Sequence, residues 1–569
     1  MKKVLSFMLV LCMLLGLVAC GSNPVTEGSS STPVEETTKA PEETTSDATE
    51  EKAEAVAEEE PTSITIGLVG EPDTLVPYIF TSDKESLVQM QLFDYLFQTD
   101  ETGATVPNLV ESVEFDEATL TYTWKINQNA VWSDGEPLTI DDVIFTLNSL
   151  AAPEYTGGTS NSVLNIAGYA EVNSGAAETM SGIQKIDEHT CTIQLSAWDP
   201  IFLYNFADPG SVLPEHVLGG VSPAEWAKSD FAENPVTYGP YTLVTWEHGE
   251  YIELKKNPNY YGTPAEIDTV IFRFAEEATT FVNAFANGEI DMFKSPIEDV
   301  ETLASMDFCD TYTCTPSNFP LYPNLLKGPL SELAVRQAIL YSYDANAIAK
   351  TVYGDYGEGS ESIFCNSSWA LDQSATDYTV DHDKAKELLE GAGYTMGDDG
   401  YYYKDGQILE FTSLNTGGEM EDVLTMWQAS LKKSGIKVNI KVVDWSVMVE
   451  TISNQEAADY GTYVFGGGDA DPSTLIVLYC SDFDASLGGF NFNKCGGEEL
   501  DPLWYAGQAE TNFEERVKIY NEIDRYMREN ALVFPMVEKM TVWCVNSRIQ
   551  NVVFNNLSNL QHLSEFTAN

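Results

Sequence analysis

One stretch constrains the fold of this chain more than any other: Val131-Trp132-Ser133-Asp134-Gly135-Glu136-Pro137-Leu138-Thr139-Ile140-Asp141-Asp142-Val143. Upstream of it, Leu120, Tyr122, Trp124 and Ile126 alternate with polar residues, the period of a half-buried strand. Ser133-Asp134-Gly135 interrupts that period with turn chemistry. Thr139 then predicts a helix N-cap, with Asp142 three residues on as its capping-box partner. Asp141 and Asp142 put negative charge in the first helical turn, where the backbone dipole favours it. Ile140, Val143, Ile144 and Leu147 follow at the spacing of one helix face. Capping accounts for the two carboxylates without any catalytic role.

Before the stretch lie a short basic start, Met1-Lys2-Lys3, and an apolar run from Val4 to Val18. That run is too short for a firm transmembrane assignment and is flanked like a secretory leader. From Ser22 to Glu60 the chain is mostly Ser, Thr, Pro, Ala and Glu without an aromatic residue, and it cannot bury a core. It reads as an acidic, extended tether. Ordered sequence is expected from about Ser63, where Ile64, Ile66 and Leu68 alternate. Helix-then-strand units fill the second half. Met420, Val423, Leu424, Trp427 and Leu431 share a helical stripe, Gly435 ends it, and Ile436, Val438, Ile440 and Val442 alternate as a strand. A helix from Phe513 to Met527 closes the series. Alternating helices and strands predict α/β architecture. Once leader and tether are set aside, the length allows two or three domains.

The turn after the first strand, Glu71-Pro72-Asp73-Thr74-Leu75-Val76-Pro77, and the stretch at 131–143 resemble motifs of the large extracytoplasmic solute-binding proteins of ABC importers, the oligopeptide- and dipeptide-binding family. Further landmarks occur in the family's order: Val212-Leu213-Pro214-Glu215-His216, Asn234-Pro235-Val236-Thr237-Tyr238-Gly239-Pro240-Tyr241, Lys256-Asn257-Pro258-Asn259-Tyr260-Tyr261, and Gly288-Glu289-Ile290-Asp291. Two departures stand out. Tyr95 replaces a usual glycine, and Thr237-Tyr238 replaces Gly-Thr. Leu17-Val18-Ala19-Cys20 resembles a bacterial lipobox, which implies a leader over 1–19, lipidation of Cys20 and a tether over 20–62.

The resemblance implies a two-lobed fold of the periplasmic-binding-protein kind with a hinge cleft. The first lobe would span 63–310, with an inserted subdomain at 107–195. The second lobe would span 311–532, and 533–569 would return to the first. Crossings would fall near Thr311–Asn324 and Leu532–Val542. The implied function is capture of a small solute, a peptide first and an oligosaccharide second, for an ABC permease and its ATPase. The implied state is a monomer held outside the cytoplasm on the cell membrane by lipid. A surface hydrolase is the rival from another class.

The site candidate is Phe465-Gly466-Gly467-Gly468-Asp469-Ala470-Asp471-Pro472, after a strand over Tyr460 to Phe465. Glycines let a ligand approach the backbone closely. In peptide-binding members a similar loop carries an aspartate that pairs with the ligand's ammonium, and Asp469 is the match; Asp471 is the alternative, or caps the segment after it. An ordinary glycine-rich turn is the competing reading. Trp445 sits where the family places a cleft aromatic, and Tyr78 and Phe80 come just after the first turn; core packing is the competing reading for all three.

Composition narrows the field. Net charge is −60, and a nucleic-acid binder needs a basic face. No Gly-x-Ser-x-Gly elbow, phosphate-binding loop or zinc-protease motif occurs, so neither an enzyme nor a cofactor is expected. The scattered histidines give no metal-ligand spacing. Of nine cysteines, Cys12 lies in the leader and Cys20 in the lipobox. The remaining seven leave at least one without an intrachain partner, and Cys309 with Cys314 and Cys480 with Cys495 are the sequence-near pairs.

Overall fold

The computed structural model describes residues 61–79, 83–100, 105–155, 157, 159–207, 210–314, 316–375, 378–454, 460–464, 466, 471–484, 490–554 and 559–569. The leader, the tether as far as residue 60 with Cys20, and Phe80, Phe465, Gly467, Gly468 and Asp469 lie outside the described residues.

In chain order the strands that organise the fold are β1 (Ser63–Val69), β2 (Val110–Asp116), β3 (Thr121–Ile126), β4 (Ile183–Lys185), β5 (Thr190–Gln194), β6 (Tyr241–Glu247), β7 (Tyr251–Lys256), β8 (Thr269–Ala275), β9 (Met292–Lys294) and β10 (Cys309–Thr313). After them come β11 (Ser317–Pro323), β12 (Gly357–Gly359), β13 (Glu410–Asn415), β14 (Lys437–Val442), β15 (Thr462–Val464), β16 (Phe534–Lys539) and β17 (Val542–Asn546). They build three sheets. A seven-stranded sheet has the order β10-β17-β9-β1-β8-β7-β6, a six-stranded sheet β12-β16-β11-β15-β13-β14, and a four-stranded sheet β2-β3-β5-β4. The two large sheets are mixed and carry helices, which makes the protein α/β and two-lobed.

The chain passes from the first large sheet to the second between β10 and β11, and returns between β16 and β17. The four-stranded sheet is drawn wholly from the segment between β1 and β6. Strand β1 is central in its sheet and parallel to β8 and β9. Ile64, Ile66 and Leu68 share one face of β1 and are all buried. Gly67 is required there because a Cβ would lie 2.7 Å from the Phe281 ring.

The stretch at 131–143 folds as its pattern predicts. Helix α1 (Ile140–Ala151) is capped by Thr139, whose hydroxyl accepts from Asp141 N, while Asp142 Oδ2 accepts from Thr139 N at 2.9 Å. Ile140, Val143, Leu147 and Leu150 are fully buried. The strand before it starts at Thr121 instead of Leu120, because Leu120 turns the chain at φ 51°.

Trp132 explains why the stretch matters in three dimensions. It is fully buried and packs edge-on against Tyr238, with ring centroids 5.0 Å apart. Ser133 N donates to Thr237 O at 2.7 Å, and Thr237 N returns a bond to Ser133 Oγ at 3.0 Å. The Tyr238 hydroxyl donates to Asp94 O and accepts from Val212 N. Thr237-Tyr238 is therefore a rivet joining the turn at Ser133, the segment at Asp94 and the extended segment at Val212. Gly239 comes next because its Cβ position lies 2.7 Å from the Gln91 and Leu92 backbone.

Two local expectations are corrected. The apolar pattern of Leu87 to Phe97 reads as one helix in the sequence, but the helix covers Asp83–Leu92. Tyr95 then bridges to Ser211, and Phe97–Thr99 is a strand. The pair Cys309 and Cys314 cannot be a disulfide, since the extended strand β10 lies between them and separates their Cα atoms by roughly 17 Å at about 3.4 Å per residue. Cys480 and Cys495 are thiols in this structure.

Candidate functional site

The parallel part of the second sheet defines an edge. β13 pairs in parallel with β14, Asn415 opposite Val442, and with β15, Ser413 opposite Thr462. Their carboxyl ends fall together on one side of the sheet, the side on which open α/β sheets bind ligands. Each strand delivers a distinctive segment there. After β13 come Gly417 and Gly418, both at positive φ. After β14 come Asp444 and Trp445, the cap and first residue of helix α2 (Trp445–Ser453). After β15 comes the segment 465–470.

Strand directions also determine what that edge faces. β11 is antiparallel to β15, with Leu321 opposite Val464, so β11 begins at the same edge. In the first sheet β9 runs with β1, β17 against β9, and β10 against β17. Strand β10 therefore runs with β1 and ends at that sheet's carboxyl edge. The link from β10 to β11 is only residues 314–316, and that from β16 to β17 only 540–541. Both links join carboxyl edge to carboxyl edge, so the two edges confront each other across the crossings.

Trp445 is 52% exposed at this edge, and Val442 and Val447 beside it are exposed as well. Gly466 lies against β11, where a Cβ would stand 2.1 Å from the Phe319 ring. Of the residues singled out in the sequence, Trp445 and Gly466 stand at this edge. Tyr78 goes elsewhere. Its side chain is buried in the core of the first lobe, its hydroxyl donates to Ser211 O at 2.5 Å, and Tyr155 donates to its carbonyl. Burial pushes its phenol far above the ordinary range. Tyr78 sits at φ 66° and turns the chain from the core side, two residues before Phe80.

Asp471 does what its position next to Pro472 suggested. Its carboxylate caps the next turn by accepting from Ser473 N at 2.9 Å. It also takes two bonds from Arg516, at 2.8 Å from Nη1 and 2.5 Å from Nη2. Arg516 lies on helix α3 (Phe513–Glu529), donates Nε–H to Gly507 O, and is flanked by the Trp369 and Tyr520 rings at 5.1 and 5.3 Å. Asp471 is therefore clamped to a helix.

Two residues escaped sequence reasoning. Arg516 carries no local signal, because its partner is 45 residues away. Asn415 ends β13 fully buried at the same edge; its Oδ1 accepts from Gly417 N, and its Nδ2 has no hydrogen-bond partner among the described residues. The Gly-Gly after a strand end was the available signal, since it repeats the pattern of Gly466-Gly467-Gly468.

The first lobe contributes a buried carboxyl just after the inserted region. Asp199 is buried, accepting from Asn165 Nδ2 at 3.2 Å and Ile201 N at 3.1 Å. Burial raises its carboxyl above the ordinary value against those bonds, and the charge of Asp471 on the opposite lobe adds to the rise.

Residues 104–486 match the bacterial extracellular solute-binding proteins, family 5, over the family's middle region. The chain belongs to that family. Among curated relatives, it is 26% identical over 476 residues to the oligopeptide-binding protein AppA of Bacillus subtilis, covering 82% of this chain and 84% of that protein. The structure of that AppA with a nonapeptide superposes with a TM-score of 0.76 at 23% identity, covering 90% of this chain and all of the other. NikZ of Campylobacter jejuni, solved with Ni(L-His), gives 0.77 at 22% identity over 89% of this chain and 99% of the other. Family 5 members are extracytoplasmic binding proteins and not enzymes, which removes the hydrolase reading.

Proposed function

We propose that this family 5 protein captures a peptide between its two lobes and delivers it to an ABC permease with its ATPase. The observation that carries the reading is the shared carboxyl edge. Gly466, Trp445 and Asn415 stand there, on strands rigid enough to position them. The oligopeptide-binding relative supports the choice of peptide. Asp469 pairs with the ligand's ammonium group, a charge-assisted contact. Phe465, Gly466, Gly467 and Gly468 present backbone groups to an extended peptide, and Trp445 and Phe80 contribute aromatic faces. Ligand that touches both edges shifts the molecule toward the closed form. The lobes keep the boundaries 63–310, 311–532 and 533–569, with 107–195 inserted. Cleavage after residue 19 and lipidation of Cys20 tether a monomer to the membrane surface.

Thermal unfolding against peptide pools and oligosaccharide pools tests the ligand. A ligand present at 100 times its Kd adds ~2.7 kcal/mol to stability. A shift with peptides that disappears in Asp469→Ala supports the reading. A shift with oligosaccharides alone, lost in Trp445→Ala and unchanged in Asp469→Ala, replaces it. Incorporation of labelled fatty acid, abolished by Cys20→Ala, tests the anchor.

A further inference from the structure

The strands that flank the two crossings on the first-lobe side, β10 and β17, each carry a cysteine. They are antiparallel neighbours, with Thr311 opposite Cys544 and Cys309 opposite Asn546. Alternate residues of a strand share a face, so Cys309 and Cys544 lie on one face as diagonal neighbours. Both join the same small core, which includes Phe281, Phe285, Phe293 and Leu303. Cys544 is fully buried at its centre, and Cys309 is partly exposed at its rim.

We propose that Cys309 and Cys544 form a disulfide once the protein is exported, stapling the two crossing strands together at the base of the hinge. Family 5 proteins work outside the cytoplasm, where disulfides persist. The pair closes a loop that contains the whole second lobe, and cross-linking a long loop removes much unfolded-state entropy. Both sulfurs belong to one sheet, so the staple leaves the 314–316 and 540–541 links free to bend.

The exposed member is the one placed to react. The neighbouring Cys544 thiol lowers the Cys309 thiol below its ordinary value despite burial. Cys309 beside it, and burial after that, push Cys544 upward. The Cys309 thiolate attacks one sulfur of an external disulfide, either a small-molecule disulfide or that of a thiol oxidoreductase. The external S–S bond breaks, and one half leaves as a thiolate that takes up a proton. Cys544 then gives its proton to solvent and attacks Cys309 Sγ, which expels the second half. Two protein thiols are oxidised, and one external disulfide is reduced to two thiols.

The test uses the full chain, purified after export and separately after incubation with oxidised glutathione. Unreduced protein is alkylated, digested and examined by mass spectrometry. The expected product is a linked pair of peptides containing Cys309 and Cys544, lighter than their sum by two hydrogens and separated by reduction. Reduction should also lower the thermal midpoint of the wild type and leave that of Cys309→Ser unchanged. Recovery of Cys309 and Cys544 as singly alkylated peptides after both treatments overturns the proposal, as does a link from Cys309 to any other cysteine. Cys309→Ser is the chosen variant because its site is at the rim, whereas a change at buried Cys544 risks the fold.

Discussion

Replacing Arg516 by Met tests whether the clamp on Asp471 holds the end of the 465–470 segment. The substitution keeps an unbranched stem between Trp369 and Tyr520 and removes the guanidinium. Three donated bonds go with it: two to Asp471 and one to Gly507 O. The Arg516 side chain is 9% exposed and that of Asp471 21%, so the carboxylate left behind is poorly hydrated. Breaking a buried pair by removing one partner costs about 3–5 kcal/mol. The residual exposure of Asp471 and its surviving bond from Ser473 N bring the expectation to the lower end, ~3 kcal/mol. Urea unfolding monitored by Trp fluorescence measures it. Asp471→Asn with Arg516→Met completes a double-mutant cycle, in which the two losses should fall well short of adding. Ligand affinity should fall in the single variant while the unfolding m-value stays constant. A loss below ~1 kcal/mol, or additive losses, would refute the clamp and leave the pair as a solvated surface contact.

Trp132→Ala should cost ~3–5 kcal/mol in chemical denaturation, since it empties a fully buried site and removes the edge-on contact with Tyr238. Thr139→Ala should cost ~1 kcal/mol by the same measurement, because Asp141 N loses its cap. Gly466→Ala should displace the Phe319 ring and cost about 1–3 kcal/mol in thermal unfolding; full retention of stability would show that the chain passes further from β11. For Asp199, folding raises the carboxyl above its unfolded value, so the folded state binds the proton more tightly. Stability from this group is present at the acidic side and lost as pH rises from the ordinary carboxylate value through the raised one. Asp199→Asn should flatten that part of the stability profile, and an unchanged profile would exclude the effect.

How much was legible depends on the range of the interaction concerned. The capped helix at Ile140, the alternating strand before it and the amphipathic helices of the second half are written in neighbouring residues. Local pattern located them to within a few positions. The end of the helix at Leu92 was missed because the apolar residues beyond it, Tyr95 to Phe97, serve a bridge and a strand whose partners lie further along the chain. Tyr78 shows the same limit from the other side. An aromatic after a turn looks like a cleft residue, but a carbonyl at Ser211 claims its hydroxyl and the core claims its ring.

The sequence alone determined the α/β class, the capped helix, the family and the glycine run after a strand. Each of these depends on spacing, turn chemistry or backbone freedom within a few residues. Tertiary structure alone decided which segments meet. Parallel pairing of β13, β14 and β15 put Asn415, Trp445 and Gly466 on one edge. Helix α3 supplied Arg516 to hold Asp471. The antiparallel pairing of β10 with β17 brought Cys309 to Cys544 and carried it away from Cys314. The reason is that strand pairing joins residues without regard to their separation along the chain, so its outcome is set by burial and register across the whole sheet.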